Sequence, residues 1–402
     1  MYPPAVHYDR LSNDPESDHN DDSFTLKISE HRSRLRHYLR PNPLVRVLCI
    51  LVLALLTWRI ISNLTRRPPL KVFALDEEPR PSWLDDKTPD APMRLRVAVI
   101  SRASEFDTRA ALRESVFEGV RQSEVELDFR FFVGAPTGLF SWWTISHLES
   151  EIEEHGDIEY LRDIDDVKER LSEKRFAALG WGGSVRRTDY DWFMTMDSDT
   201  FVRFGALSRR LGLLLKERDV NPQTQSVLVG RMAAHRLFWE NRIPDGSTDD
   251  PWEEDLFLKG PWYDYPIGIG YMMSPFLVET LLSLDPPPPH HIHYPNDDVM
   301  IGGWIAALKH FPDTSIDFQT TPEHSPEPVH KVVPRPYLPH PIDTVVIDDK
   351  EGWHDYAGRK VGYDAPFSWS SVCLHHLHPK EMRMLRAMDA IKGEWAPGRN
   401  HD

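Results

Sequence analysis

Two acidic pairs and a histidine cluster carry the residues best able to do chemistry in this 402-residue chain. Asp197-Ser198-Asp199 closes the short apolar run Trp192-Phe193-Met194-Thr195-Met196, and Phe201-Val202 resumes apolar character at once. A run of that length suits a buried strand better than a helix. In an open α/β sheet, ligands sit beyond the carboxyl ends of the strands, which is where this pair would lie. Carboxylates spaced i, i+2 on a turn can share a hard divalent cation, or divide between the cation and a sugar hydroxyl. An acidic surface turn is the plain alternative. Asp297-Asp298 precede a second apolar stretch, Val299 to Trp304. One of them would cap a helix reaching about Lys309, and the other is a candidate general base. His375, His376 and His378 supply imidazole, which with carboxylate suits Mn²⁺-type sites, although histidine clusters are also common on surface loops.

Two further groups could serve a ligand. Arg109 and Arg113 lie one turn apart at the start of a helix that Thr108 could cap, with Leu112, Val116 and Val120 as its apolar stripe. Helix N–H groups beside two guanidinium groups would suit a phosphate or nucleotide, against the alternative of a solvated charged face. Gly268-x-Gly270 lacks the third glycine and the helix start of a dinucleotide fingerprint. Here the glycines would let backbone approach a ligand, next to Tyr271 as an aromatic able to stack on a sugar.

The elements that must position these residues alternate in type. Arg94–Ser101 and Leu127–Gly134 read as strands, with the Arg109 helix between them. Leu148–Glu154 reads as a helix, His155-Gly156-Asp157-Ile158 leads into a short strand, and Asp166–Leu179 is amphipathic. The acidic strand end follows, then a helix with Leu207, Leu211, Leu214 and Leu215 on one face. The order β, α, β, α, β, α, β, α predicts an α/β fold with a mostly parallel sheet covered on both faces. Further strands are expected at Ser226–Gly230, Tyr265–Ser274, Ser315–Phe318 and Thr344–Ile347, and a last helix at Lys380–Ile391.

Composition limits the function classes. A formal net charge of −16 argues against a nucleic-acid partner. With only Cys49 and Cys373, the chain offers no basis for an intrachain disulfide framework, and a thiolate metal site is excluded. Residues 1–43 are polar and read as a disordered tail. Residues 44–61 are apolar over nearly the length needed to cross a bilayer, with Arg46 and Arg59 near the ends and Trp58 suited to the interface. Lys27 to Arg40 precede this span and Arg66, Arg67, Lys71 and Arg80 follow it, so charge alone leans only weakly to a cytosolic N-terminus. Residues 62–93, with Pro68-Pro69, Pro79, Pro81, Pro89 and Pro92, read as an extended stem before a globular domain over 94–395.

In ordered blocks over about 94–385 the chain resembles the β-1,3-galactosyltransferase-like glycosyltransferases of family 31. Arg109-Ala110-Ala111-Leu112-Arg113-Glu114-Ser115 resembles that family's R-x-x-x-R-E-[ST], and His155-Gly156-Asp157-Ile158 its Y-G-D-I/L. Asp197-Ser198-Asp199-Thr200-Phe201-Val202 falls on D-D-D-x-[FY]-V. Tyr265-Pro266 with Gly268 to Ser274 falls on Y-P…G-x-G-Y-v-x-S, Asp297-Asp298-Val299 to Gly302 on E-D-V-x-x-G, and Leu374 to Pro379 on F-H-x-v-x-P. The middle aspartate is Ser198, the spacing from Tyr265-Pro266 to Gly268 is shorter than usual, and lumenal cysteine pairs are absent.

The resemblance implies a type II Golgi membrane protein with a cytosolic tail and a lumenal GT-A-type domain, Rossmann-like in its sheet. It implies Mn²⁺ held by Asp197, Asp199 and His375, and Asp298 as catalytic base. The UDP-sugar donor would meet Ser101, Arg109, Arg113, Asp197, Gly268, Gly270, Tyr271 and Asp297. The implied reaction is inverting, β-1,3 transfer of a hexose, galactose first, to a glycan acceptor on a glycoprotein or glycolipid. Competing readings are a UDP-N-acetylglucosamine-using member, a non-catalytic glycan-binding or chaperone relative, and a metal-dependent phosphohydrolase. The last would need ligands for a second metal, and no such spacing occurs.

Overall fold

A strand run of nine residues, β1 (Met93–Ser101), lies in the interior of the main sheet, and its 97–100 stretch is apolar toward both faces. Leu95, Val97 and Val99 pack into one core cluster, and Ala98 and Ile100 into another. Side chains alternate across a sheet, so a strand buried on both sides must read as nearly continuous apolar sequence. The computed structural model describes residues 43–64, 75, 78–85, 91–240, 257–285, 287–288, 297–306, 308, 342–356 and 367–395. Residues 1–42 of the expected tail, most of the stem and the strand at 315–318 lie outside them.

The chain divides at residue 67 into two units. In the first, helix α1 (Pro43–Leu64) spans 22 residues, about 33 Å at 1.5 Å per residue. Its Val45–Ser62 window has a mean hydropathy of 2.1, so it is long and apolar enough to cross a bilayer.

The second unit begins its regular structure with β1. Helix α2 (Phe106–Leu112) follows, then β2 (Val125–Ala135), α3 (Ser141–His155), β3 (Ile158–Asp165), α4 (Leu171–Gly182) and β4 (Trp192–Asp197). Next come β5 (Phe201–Val202), α5 (Phe204–Arg218), β6 (Val227–Glu240), β7 (Phe257–Met273), α6 (Pro275–Leu282) and α7 (Asp297–Ala306). Strands β8 (Val345–Asp348), β9 (Trp353–Asp355) and β10 (Cys373–His375) precede α8 (Pro379–Ala387) and α9 (Asp389–Trp395). The main sheet runs β3-β2-β1-β4-β7-β6-β8, and a small sheet runs β5-β10-β9. Strand β7 is antiparallel to both of its neighbours, and the remaining pairings of the main sheet are parallel. This is the mixed α/β, mostly parallel architecture expected from the sequence. One core face is covered from α2, α3, α5 and α8, and the other from α4, α6 and α7.

Three local expectations are corrected. The Arg109 helix starts at Phe106, with Glu105 and not Thr108 at its N-cap, and its next turn is a π-helix over Arg113–Phe117. The helix expected from Asp166 begins at Leu171, after a 3-10 turn at Lys168–Arg170. The last helix is two helices, broken at Met388. Both cysteines are free.

The strand order reverses between β1 and β4, since β2 and β3 extend one way and β4 begins the other. A crevice opens at such a switch point beyond the carboxyl ends of the strands, and Asp197 ends β4 there. Gly270 lets β7 lie against β4 at that end. Its φ is +120°, and an added Cβ would sit 2.7 Å from the Thr195 carbonyl oxygen. Gly270→Ala is therefore expected to destabilise the fold by about 2–4 kcal/mol, from backbone strain plus overpacking. Chemical unfolding of the full chain measures it; an unchanged midpoint would mean that the strands separate without penalty.

Candidate functional site

Hydrogen-bonded register brings the first two acidic residues to a histidine. Asp197 ends β4, and the turn through Ser198 and Asp199 is closed by Thr200 N–H donating to Asp197 O at 3.1 Å. Strand β5 leaves this turn and pairs antiparallel with β10, Phe201 opposite Leu374 and Val202 opposite Cys373. His375, the next residue of β10, therefore comes level with the turn. Its Nε2 lies 3.1 Å from Asp199 Oδ1 and 3.7 Å from Asp197 Oδ2. On its other side β10 runs parallel to β9, with His375 opposite Asp355. His376 takes a left-handed backbone (φ +60°), and its Nδ1 is 2.7 Å from Asp355 Oδ1. His378 is turned away from this group. It caps α8, its Nδ1 accepting from Lys380 N–H at 3.3 Å while Glu381 accepts from the His378 N–H.

Strand β7 and α7 bring up the second acidic pair. Thr200 Oγ1 donates to Ile269 O at 3.0 Å, fixing β7 beside the turn. Helix α7 seats on β7 through Tyr263 Oη donating to Val299 O at 2.9 Å. Gly302 permits the seat, because a Cβ there would lie 2.4 Å from Tyr265 Cβ. Asp297 and Asp298 occupy the first turn of α7. Gly268 stands between the two halves of the site: a Cβ on it would lie 3.1 Å from Asp298 Oδ2 and 3.5 Å from His375 Cε1.

One residue that the sequence reading passed over holds these parts. Arg175 of α4 is 4% exposed. It donates through Nε to Asp297 Oδ2, through Nη2 to Asp197 Oδ1 at 2.9 Å and through Nη1 to Thr195 Oγ1 at 3.2 Å. Asp298 Oδ1 is 3.3 Å from Nη2 yet has no hydrogen bond of sound geometry. Burial opposes charge on Arg175, but Asp297, Asp197 and Asp298 outweigh it and keep the guanidinium protonated. Burial likewise raises the Asp298 pKa well above the ordinary aspartate range, reinforced by Asp297. For Asp197, burial is overcome by the charges of Arg175 and His375, which hold its pKa down at about 2. Burial would lower the pKa of His375, but the facing carboxylates of Asp197 and Asp199 raise it to about 10.

Five of the expected donor residues, Arg109, Arg113, Tyr271, Gly270 and Ser101, are placed otherwise than as open ligand contacts. Arg109 is fully buried and donates to Glu151, to Ser101 Oγ at 3.0 Å and to the carbonyls of Arg102 and Ala103. Arg113 is paired with Glu151 and Asp157 at 2.7 and 2.8 Å. The two guanidinium groups thus tie α2 to α3 and to the approach to β3, and do not face a cleft as the helix-terminus reading expected. Tyr271 is 2% exposed within the core, and burial pushes its hydroxyl pKa up; it cannot stack on a ligand from there. Gly270 serves the contact of β7 with β4. Ser101 ends β1 within a network the sequence did not suggest. Glu105 Oε2 accepts from Ser101 Oγ at 3.2 Å, Arg102 N–H at 2.9 Å and Ser198 Oγ at 2.7 Å, joining β1 to the acidic turn. Lys174 reaches the same strand end, donating to Asp166 at 2.5 Å and to Ser101 O at 3.1 Å.

The residues fit a divalent cation. Asp199, His375 and His376 each present a ligand atom, and these atoms lie within 4.8 Å of one another. Mixed imidazole and carboxylate donors suit Mn²⁺ and similar ions. Asp197 flanks the group but is drawn to Arg175. Asp355 on His376 has the form of the carboxylate–imidazole pairs that orient histidines in metal sites. Asp355→Asn is expected to weaken Mn²⁺ binding about 10- to 100-fold. Calorimetric titration of the full chain checks this, and unchanged affinity would remove His376 from the ligand set.

Comparison with known proteins gives the family of the chain. The galactosyltransferase family model matches residues 107–312, just over half of the chain. Mouse beta-1,3-galactosyltransferase 6 is 29% identical over 236 residues, covering 57% of this chain and 65% of that protein. Just under two thirds of that relative's length is thus spanned. A solved glycosyltransferase involved in glycosylation of the major capsid of PBCV-1 superposes with a TM-score of 0.30 at 10% identity, over 72% of this chain and 98% of that one. That likeness is too low to bear on fold or function. The family match runs from α2 through the acidic strand end to α7, and on that ground the chain belongs to the galactosyltransferase family.

Proposed function

We propose that this chain is a membrane-anchored galactosyltransferase. It transfers galactose from UDP-galactose, with inversion and in β-1,3 linkage, to a hydroxyl of a glycan acceptor on a glycoprotein or glycolipid. The observation that carries the reading is the convergence of Asp199, His375 and His376 with Asp298 across Gly268, at the end of β4. Residues 1–43 form the cytosolic tail, 44–61 the span, 62–93 the stem and 94–395 the lumenal catalytic domain of a type II Golgi protein.

Asp199, His375 and His376, with Asp197 beside them, would hold Mn²⁺. When bound, the ion supplies positive charge to offset that of the departing diphosphate. Asp298 removes the proton of the acceptor hydroxyl as its oxygen attacks C1, and UDP leaves from the opposite face. The raised pKa of Asp298 strengthens it as a base, and Oδ2, the oxygen that faces Gly268, is the one turned to the space where an acceptor hydroxyl would lie. Gly268 keeps the space between Asp298 and His375 clear of a side chain. Asp297, paired with Arg175, is assigned to the donor side of the pocket.

The test uses the purified full chain in detergent with Mn²⁺, a panel of UDP-sugars, and galactoside, xyloside and N-acetylhexosaminide acceptors. Acceptor-stimulated UDP release from UDP-galactose, lost on chelation, is expected. Release from UDP-N-acetylglucosamine instead would reassign the donor within the family. A folded chain that binds neither UDP nor Mn²⁺ would overturn the reading in favour of a non-catalytic glycan-binding role.

A further inference from the structure

We propose that Arg175 is a positioning residue that ties the Asp298 base on α7 to the acidic turn at the end of β4, and that its charge restrains the cation affinity of that turn. This inference rests on the transferase reading. A guanidinium presents its donors in a planar fork, so a single side chain can orient groups on two elements at once. Here one edge meets Thr195 and Asp197 of β4, and Nε meets Asp297 of α7. Asp298 lies in the same first turn and feels the Arg175 charge at 3.3 Å without a proper hydrogen bond. The fork therefore fixes the turn that carries Asp298, through Asp297, while Asp298 Oδ2 faces Gly268.

The same contact acts on the cation site. Asp197 Oδ1 is occupied by Nη2, and a positive charge stands next to a carboxylate that flanks Asp199 and His375. A helix residue that is 4% exposed and bridges three carboxylates is not a solvated surface charge. Its removal leaves Asp197, Asp297 and Asp298 without their common counterion, which attracts a cation more strongly and frees the α7 turn.

Arg175→Gln and Arg175→Lys in the full chain separate the two effects. Arg175→Gln is expected to bind Mn²⁺ roughly tenfold more tightly, because a nearby positive charge is gone. Its kcat should fall by about 10²-fold with the KM for UDP-galactose little changed, the size expected when a catalytic group is misplaced by about an ångström. Arg175→Lys restores the charge but not the fork, so Mn²⁺ affinity should return toward wild type while kcat stays low. A purely structural role predicts the contrary: weaker Mn²⁺ binding and lower kcat together, with a lowered melting temperature. That result, or an unchanged kcat in Arg175→Gln, overturns the inference while a transferring wild type leaves the enzyme reading standing. Should Arg175→Gln fail to fold, Arg175→Lys alone decides, since full kcat with one amine would dismiss the fork. A wild-type chain inactive on every donor and acceptor overturns the transferase reading and the base-positioning role with it.

Discussion

Asp298→Asn is expected to lower acceptor-dependent UDP release by about 10²- to 10⁴-fold, the range over which a positioned general base contributes. Asparagine keeps the shape of the side chain and the first turn of α7 but cannot take a proton at pH 7. Mn²⁺ binding should persist, because Asp298 is not among Asp199, His375 and His376. The same substitution is expected to raise the melting temperature at neutral pH. Burial and Asp297 hold the folded pKa of Asp298 above its unfolded value, so the ionised carboxylate costs stability at pH above the unfolded pKa. That cost vanishes as pH falls below it, and the stability gain of the variant should vanish there too. In the wild type, the acid limb of the rate profile should lie above the ordinary aspartate range, since the base must be ionised to act. Steady-state assays and melting curves of the full chain over a pH series measure both effects. Activity retained by Asp298→Asn would assign the base elsewhere, and a lowered melting temperature would mean that Asp298 stabilises the fold.

His375→Ala is expected to abolish transfer by weakening Mn²⁺ binding by more than about 100-fold. Loss of a supporting carboxylate alone costs 10- to 100-fold, and removal of a ligand should exceed that. His375 is 5% exposed and faces both carboxylates of the acidic turn, so its removal also leaves Asp197 and Asp199 repelling each other. High Mn²⁺ should recover part of the activity, whereas excess UDP-galactose should not. His378→Ala is the control, because His378 caps α8. It should cost about 1 kcal/mol of stability and leave the turnover of the folded chain intact. Calorimetry with Mn²⁺ alone reports the first effect without reference to turnover. Wild-type Mn²⁺ affinity in His375→Ala would move the cation site away from β10.

Much of the fold was legible because its signals are local. The apolar run 192–196 ends in carboxylates, and an interior strand that turns polar at its carboxyl end opens there toward the crevice. The alternation of strand and helix predicted a mostly parallel sheet, and the span of α1 is written in a predominantly apolar sequence with its two arginines near the ends. Asp199, His375 and Asp298 were singled out for a different reason. Each sits in a short block whose resemblance to one family suggested a role that its own residue type left open.

The remainder depended on pairings between residues far apart in the chain. Arg109 and Arg113 have the spacing of a phosphate site, but Glu151 and Asp157, some forty residues on, take up their charge. Lys174-Arg175 looks like an ordinary charged pair on an amphipathic helix; only the approach of α7 and β4 makes Arg175 a buried bridge. Asp355 and His376 meet only because β9 aligns beside β10, and Tyr271 is withdrawn from the pocket because β7 buries it against the core. By itself the sequence determined the α/β class, the apolar span and the acidic strand end, since propensity and periodicity act within a few residues. Which cation meets which carboxylate was decided by tertiary structure, because Coulomb and hydrogen-bond energies depend on separation in space rather than along the chain.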